Sequence, residues 1–267
     1  MHGAEIRLPK QSVGATENVI LAAVNACGVT VLENAATEPE VECLCRYLIH
    51  CGARIQGIGS RRLVITGKEK LSGCRFRIPS DRIVAGTYLF ACLGTGGCVL
   101  LEKAPVEHMK EVIRVCERMG GQCQILQDAL YVQAAAVPEG VNRLVTGPYP
   151  GFPTDLQSAA LTVLTKAQGE CLVEETVFEN RFRIAEPLSR MGADLYPLDE
   201  KRLLVKGPVA LKGTQVQAKE LRGGAALVIA GLMAEGETVI RDCQYIDRGY
   251  ENICRDFREL GARIYCA

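Results

Sequence analysis

The most chemically suggestive residues of this chain close a stiff loop. Gly147-Pro-Tyr-Pro-Gly-Phe-Pro-Thr-Asp155 sets three prolines and two glycines ahead of a hydroxyl and a carboxylate, and the apolar run Leu156 to Leu164 follows at once. Two readings of Asp155 stand side by side. In one, Thr154 is the N-cap of a helix and Asp155 lies in its first turn, where unpaired backbone amides favour a negative charge. In the other, the rigid loop aims the carboxylate into a cleft as a base or hydrogen-bond acceptor. The readings are compatible, so the loop alone does not choose between them.

The thirteen cysteines are the other reactive set. They are scattered through apolar runs, as at Cys27, Cys92, Cys116 and Cys254, and their number is odd. The nearest pair, Cys43 and Cys45, lacks the two-residue gap of zinc sites. Small buried thiols in a reducing cytoplasm are therefore expected, with no metal. Thirty-one basic residues balance thirty-one acidic ones, which removes the electrostatic case for nucleic acid or an anionic membrane and leaves small anionic ligands open. The longest apolar run, around Ala225 to Ala234, is far short of the roughly 20 residues of a spanning helix. The polar start, Met1-His-Gly-Ala-Glu, does not read as a signal peptide.

The elements that must position these groups come from an internal repeat. A glycine opening a strand recurs at Gly28, Gly97, Gly169 and Gly236, in steps of 69, 72 and 67 residues. A second glycine, closing a helix, recurs at Gly52, Gly120, Gly192 and Gly261. A unit of about seventy residues is thus present four times, too long for a solenoid and the length of a βαβαββ motif. Within each unit the first helix is apolar nearly all round (Val19 to Cys27, Thr87 to Leu93, Leu156 to Leu164, Gly224 to Ala234), which requires neighbours on every side. The second carries charge on one face, as in His108 to Met119 and Tyr250 to Leu260. Glycine then reverses the chain into strands such as Arg62 to Ile65 and Arg202 to Val205. These patterns predict helices packed inside and sheets outside.

Together with the repeats, five ordered motifs carry a resemblance that covers the whole chain. They are Lys10-Gln-Ser-Val-Gly-Ala-Thr-Glu-Asn18, Phe152-Pro-Thr-Asp155, Phe178-Glu-Asn-Arg-Phe182, Glu220-Leu-Arg222 and Ile246-Asp-Arg-Gly-Tyr-Glu251. The chain resembles UDP-N-acetylglucosamine 1-carboxyvinyltransferase, of the enolpyruvyl transferase family. That resemblance implies an incomplete version of the enolpyruvyl transferase fold, an inside-out, barrel-like α/β domain built of βαβαββ repeats. The family moves the enolpyruvyl group of phosphoenolpyruvate onto the 3-hydroxyl of UDP-N-acetylglucosamine in peptidoglycan synthesis, in the cytoplasm and without a cofactor. It has six repeats in two domains, with the substrates in the cleft between. Four repeats imply that residues 1–69 are a single repeat, the remnant of the second domain, and that residues 70–267 form a three-repeat domain.

Residue by residue, the resemblance places Lys10, Ser12, Val13 and Gly14 on the nucleotide sugar. The amides of Val13 and Gly14 open a helix from Ala15 to Cys27, a natural anion site, although a plain Ser N-cap with Gly for tight packing has the same spacing. Asp155 matches the group that takes the 3-hydroxyl proton, and Val177 a backbone contact to the sugar. Arg222 and Arg248 match arginines that hold the carboxylate and phosphate of phosphoenolpyruvate, as the guanidinium fork suits. Surface ion pairs are their other reading, Arg248 with Asp247 or Glu251. Glu220, among the substrate-binding positions, stands where the family usually has Asp, and Gly223 and Gly224 where it usually has larger residues.

The family's N-terminal portion, with its Lys-Asn pair, further arginines and mobile loop with a reactive cysteine, has no match here. Transfer is therefore expected only with a separately supplied N-terminal part, and the chain alone is expected to be inactive. The alternative is a catalytically inactive fragment or a nucleotide-sugar-binding module. The expected partners are the two substrates and either a separate N-terminal polypeptide or a second copy of the chain, with unpaired sheet edges promoting association.

Overall fold

The computed structural model describes residues 1–68 and 70–266. Glu69, where the first repeat was expected to end, and Ala267 lie outside the described residues. Two compact units are present. The first comprises Met1–Ser80 with Pro148–Gly151, and the second comprises Asp81–Gly147 with the chain from Phe152 onward.

The first unit is one βαβαββ motif. It runs β1 (Glu5–Arg7), α1 (Val13–Ala23), β2 (Val29–Glu33), α2 (Pro39–His50), β3 (Arg54–Gln56) and β4 (Arg62–Thr66). The sheet order is β1-β2-β4-β3, with β1 parallel to β2 and β4 antiparallel to both of its neighbours. Alternation puts Leu32, Ile55, Leu63 and Ile65 on the buried face, against Ile20 of α1 and Val41, Cys45 and Leu48 of α2. Pro39 starts α2 where its missing N–H costs nothing. The segment after β4 belongs to this unit for a visible reason. Ser72 donates to the Cys51 carbonyl from both its amide and its hydroxyl, and the Phe76 ring meets Tyr47 and His50 edge-on at 5.6 and 5.4 Å.

The second unit repeats the motif with losses. Its elements are α3 (Arg82–Thr95), β5 (Cys98–Glu102), α4 (Lys110–Arg118), β6 (Gln122–Ile125), β7 (Ala129–Gln133), β8 (Arg143–Val145), α5 (Gln157–Leu164), β9 (Gly169–Glu174), α6 (Ala185–Arg190), β10 (Asp194–Pro197), β11 (Arg202–Gly207), β12 (Gln215–Gln217), α7 (Leu221–Met233), β13 (Val239–Arg241) and α8 (Ile253–Glu259). The third repeat reproduces the complete sheet, β8-β9-β11-β10. The second has the strands β5-β7-β6 and, among the described residues, no first strand, its place in the chain being taken by the segment that belongs to the first unit. In the fourth, β12 pairs with β13, and no strand follows α8 among the described residues.

Helices α3, α5 and α7 pack against one another in the middle of this unit, and all eight residues of α5 are buried. The approach is close. A Cβ on Gly94 of α3 would stand 2.6 Å from Met233 Sδ at the end of α7. The helices-inside, sheets-outside arrangement is the one the repeat pattern predicts. The glycine after each second helix (Gly52, Gly120, Gly192 and Gly261) has φ between +84° and +97°, the left-handed turn that reverses the chain.

Two expectations need correcting. Helix α1 ends at Ala23, because Val24 to Cys27 turn toward β2, so it does not reach Cys27. Of the thirteen cysteines only Cys45, Cys51, Cys92, Cys116 and Cys171 are buried, while Cys27, Cys98, Cys243 and Cys266 are exposed. Cys27 follows a helix end and Cys98 begins a strand, where an apolar run in sequence does not bring burial.

Candidate functional site

In the second unit Asp155 lies in a single tight turn, Thr154–Leu156, between the proline-rich loop and α5. Thr154 does not cap α5, as the first of the two readings required. Its hydroxyl donates to Glu175 Oε2 (2.9 Å) and accepts from Arg181 Nε (3.1 Å). Asp155 is held instead by two guanidinium groups. Arg181 Nη2 donates to Oδ1, and Arg222 Nη2 donates to Oδ2 at 3.1 Å. The arginine side chains are 15% and 17% exposed and the Asp155 side chain 34%, so the carboxylate opens outward while its partners are enclosed.

Each member of the cluster is delivered by a different element. Arg181 follows Asn180, which takes a left-handed conformation (φ 57°), and its guanidinium lies over the Phe178 ring at 4.9 Å. Arg222 occupies the first turn of α7. Burial pulls its pKa down, but the Asp155 carboxylate and the nearby Tyr250 outweigh that and leave it above the ordinary arginine value. Tyr250 is buried and shares a 2.7 Å hydrogen bond with Thr87; burial pushes its phenol up.

Glu175 is a charged side chain only 1% exposed. Its oxygens are filled by the Thr154 hydroxyl and by the amides of Val177 (2.8 Å) and Phe178 (3.0 Å), the full satisfaction that a buried carboxylate needs. A carboxylate can only accept, so Thr154 must donate to it. The threonine lone pair is thereby left facing Arg181 Nε. Through this hydroxyl Glu175 orients the guanidinium that reaches Asp155.

Of the residues singled out from sequence, Asp155, Arg222 and Glu220 come together, with Arg181 Nη1 4.0 Å from Glu220 Oε2. The Val177 amide is committed to Glu175. Arg248, exposed at the end of the turn Cys243–Arg248, joins none of these ion pairs; Glu251, one of its suggested partners, faces Arg255 at 3.9 Å. In the first unit Ser12 caps α1, accepting from the Ala15 amide at 3.3 Å, and the Val13 and Gly14 amides fall in the unpaired first turn. Lys10 is exposed. Tight packing does not explain Gly14, since a Cβ there meets nothing within 4 Å.

Arg181 and Glu175 were missed. Arg181 was visible only inside the Phe178–Phe182 motif, with no spacing to mark it, and Glu175 only as a second acid at the end of an apolar strand. Chemically, the cluster offers a fixed, outward-facing carboxylate that can accept a hydroxyl proton. It also offers guanidinium nitrogens beyond those on Asp155 that suit a carboxylate or phosphate. Among the described residues no group of three His, Cys, Asp or Glu side chains could hold a metal ion, and no helix is long and apolar enough to cross a membrane.

Known proteins share this sequence and fold. A UDP-N-acetylglucosamine 1-carboxyvinyltransferase 2 of Caldanaerobacter subterraneus subsp. tengcongensis is 46% identical over 264 residues, 99% of this chain and 63% of that protein. Its namesake in Geobacillus kaustophilus is 43% identical over 265 residues, 61% of its length. The chain thus spans less than two thirds of these relatives. The crystal structure of the enolpyruvyl transferase NikO from Streptomyces tendae matches with a TM-score of 0.87 at 25% identity, over 95% of this chain and 60% of that one. EPSP synthase from Acinetobacter baumannii shares the fold, with a TM-score of 0.76 at 19% identity over the whole chain and 64% of that one. Residues 1–257 fit the family model described as EPSP synthase (3-phosphoshikimate 1-carboxyvinyltransferase), and the chain belongs to that enolpyruvyl transferase family.

Proposed function

We propose that this chain contributes one part of an active site that transfers the enolpyruvyl group of phosphoenolpyruvate to the 3-hydroxyl of UDP-N-acetylglucosamine. The observation that carries the reading is the convergence of Arg181 and Arg222 on Asp155. Asp155 accepts the proton of the sugar hydroxyl as its oxygen bonds to C2 of the enolpyruvyl group, and phosphate leaves. Held on both oxygens by the two guanidinium groups, the carboxylate is fixed in position for that transfer. Arg222, through the nitrogens not engaged by Asp155, and Arg248 hold the carboxylate and phosphate of phosphoenolpyruvate. Lys10, Ser12 and the amides of Val13 and Gly14 are assigned to the nucleotide sugar, with the Val177 carbonyl a further contact, since its amide serves Glu175. No metal or other cofactor takes part, and the reaction runs in the cytoplasm.

These groups do not suffice by themselves. The chain covers 61–63% of the relatives named above, and catalysis by positioning two anions needs donors on all sides of the reacting atoms. A second reading, a nucleotide-sugar-binding module without turnover, is favoured by the same partial coverage. The test is phosphate release with both substrates, by the chain alone and after adding a polypeptide that supplies the rest of the relatives' length. Turnover only in the mixture, abolished by Asp155→Ala, is the expected result. Turnover by the chain alone overturns the need for that second part, and binding of the sugar without turnover in the mixture favours the module.

A further inference from the structure

Glu220 is the N-cap of α7, and both of its carboxylate oxygens lie on the helix. Oε2 accepts from the Arg222 amide at 2.7 Å and Oε1 from the Gly223 amide. Glutamate is not among the preferred N-caps, because Asp, Asn, Ser and Thr reach the same amides on shorter arms. Here the longer arm fits because position 223 has no side chain. A Cβ there would stand 2.6 Å from Glu220 Oε1, while the next neighbours, Glu220 Cδ and Ile184 Cδ1, are at ordinary distances of 3.5 and 3.9 Å. The only atom contesting that space is the capping oxygen. Glycine inside a helix is otherwise unfavourable, so its presence at 223 calls for such a reason.

Arg222 lies between the cap and Gly223, and its own amide is one of the two held. Its guanidinium then reaches Asp155. The other guanidinium of the cluster, Arg181, has Nη1 4.0 Å from Glu220 Oε2. We infer that Glu220 and Gly223 form one length-matched unit that fixes the first turn of α7 and aims Arg222 at Asp155. Glu220 is on this view a positioning residue, occupied by the helix rather than by substrate. The inference stands on the cap geometry and does not depend on the reaction proposed above.

Thermal unfolding of the full chain tests it. In Gly223→Ala the new methyl displaces the carboxylate and uncaps α7, so Tm falls by about 2–4 °C. In Glu220→Asp the shorter cap leaves room, and the same Gly223→Ala change raises Tm, as alanine does over glycine in a helix. Opposite signs in the two backgrounds are the expected result, and equal shifts overturn the unit. A Gly223→Ala chain that does not fold while the double variant folds is the same result in stronger form; failure of both overturns it.

A cap with no positioning role would leave the ion pair alone. The coupling between Asp155→Asn and Arg222→Gln is therefore measured as a Tm cycle in each background. It is expected to fall at least twofold in Gly223→Ala and to return in the Glu220→Asp, Gly223→Ala double variant. Unchanged coupling overturns the positioning role even where the Tm signs are opposite.

Discussion

The first and third repeats have the same ribbon and opposite interiors. Both pair a parallel strand with the second strand of the motif, insert the fourth strand antiparallel beside it, and end the second helix on a left-handed glycine. Their first helices differ. Every residue of α5 is buried, whereas α1 buries only Thr16, Ile20 and Ala23 and leaves Leu21 50% exposed. Helix α5 has α3 and α7 against it, while within the first unit α1 packs on one sheet and α2. Hydrogen-bonded pairing is specified inside a repeat, but burial of the first helix is supplied by other repeats.

The largest expected effect breaks the comparison at the helices. Leu161, fully buried in α5, should cost about 3 kcal/mol when cut to alanine, since it leaves a cavity among packed helices. Leu21→Ala in α1 should stay within about 0.5 kcal/mol. Urea denaturation of the two variants gives both numbers. A Leu21→Ala cost approaching that of Leu161→Ala would mean that α1 is covered in solution by something other than its own unit.

A smaller effect should be equal in the two repeats. Gly52 and Gly192 have φ of 97° and 96°, and alanine in that region is strained by about 1–2 kcal/mol wherever it sits. A Cβ on Gly192 meets nothing within 4 Å, and one on Gly52 meets Lys68 Nζ at 2.9 Å, the far end of a long side chain, and Ser72 Oγ at 4.0 Å. Backbone conformation therefore sets both costs. Melting curves of Gly52→Ala and Gly192→Ala that differed by more than the error would show that the chain reversal is not the purely local event proposed here.

That division between local and non-local also explains what could be read from the sequence. The βαβαββ order and the reversing glycines were legible, because each depends on residue spacing within one repeat; the burial of α5 was legible from its nearly all-apolar run, although the helices that cover it belong to other repeats. The lost first strand of the second repeat was not. Its residues, Cys74 to Ser80, look no less extended than Glu5 to Arg7, and only the docking of Phe76 on Tyr47 and His50 shows where they go. At the site, the loop ending on Asp155 could be recognised, but its two readings could be separated only by the Thr154 hydroxyl, which turns to Glu175 and Arg181. Those partners lie 21 and 27 residues away along the chain, beyond the reach of any capping pattern.

The smallest effect concerns an ion pair that both repeats place between their first two strands. In the third, Arg143 of β8 grips Glu174 of β9 with two hydrogen bonds, at 2.7 and 2.8 Å. In the first, Arg7 and Glu33 meet at 3.6 Å, with side chains 81% and 47% exposed. The hydrogen bonds from Arg143 hold the Glu174 carboxyl below its ordinary 4.5, against an opposing pull from its partial burial. A carboxyl with a depressed folded-state pKa binds its proton more weakly in the native than in the unfolded chain. It therefore contributes stability above the unfolded value, and that contribution is lost as pH falls through the folded value. Glu174→Gln should accordingly lower Tm at pH 7, by a deficit that shrinks as pH falls and vanishes only below the depressed folded-state value, where the wild-type carboxyl is protonated in both states. Glu33→Gln should have no measurable effect at neutral pH, as is usual for a long, solvated pair. Melting curves of the two variants from pH 3 to pH 7 make the comparison. A Glu174→Gln deficit that persisted undiminished at the acid end would assign the loss to packing of the side chain rather than to its charge.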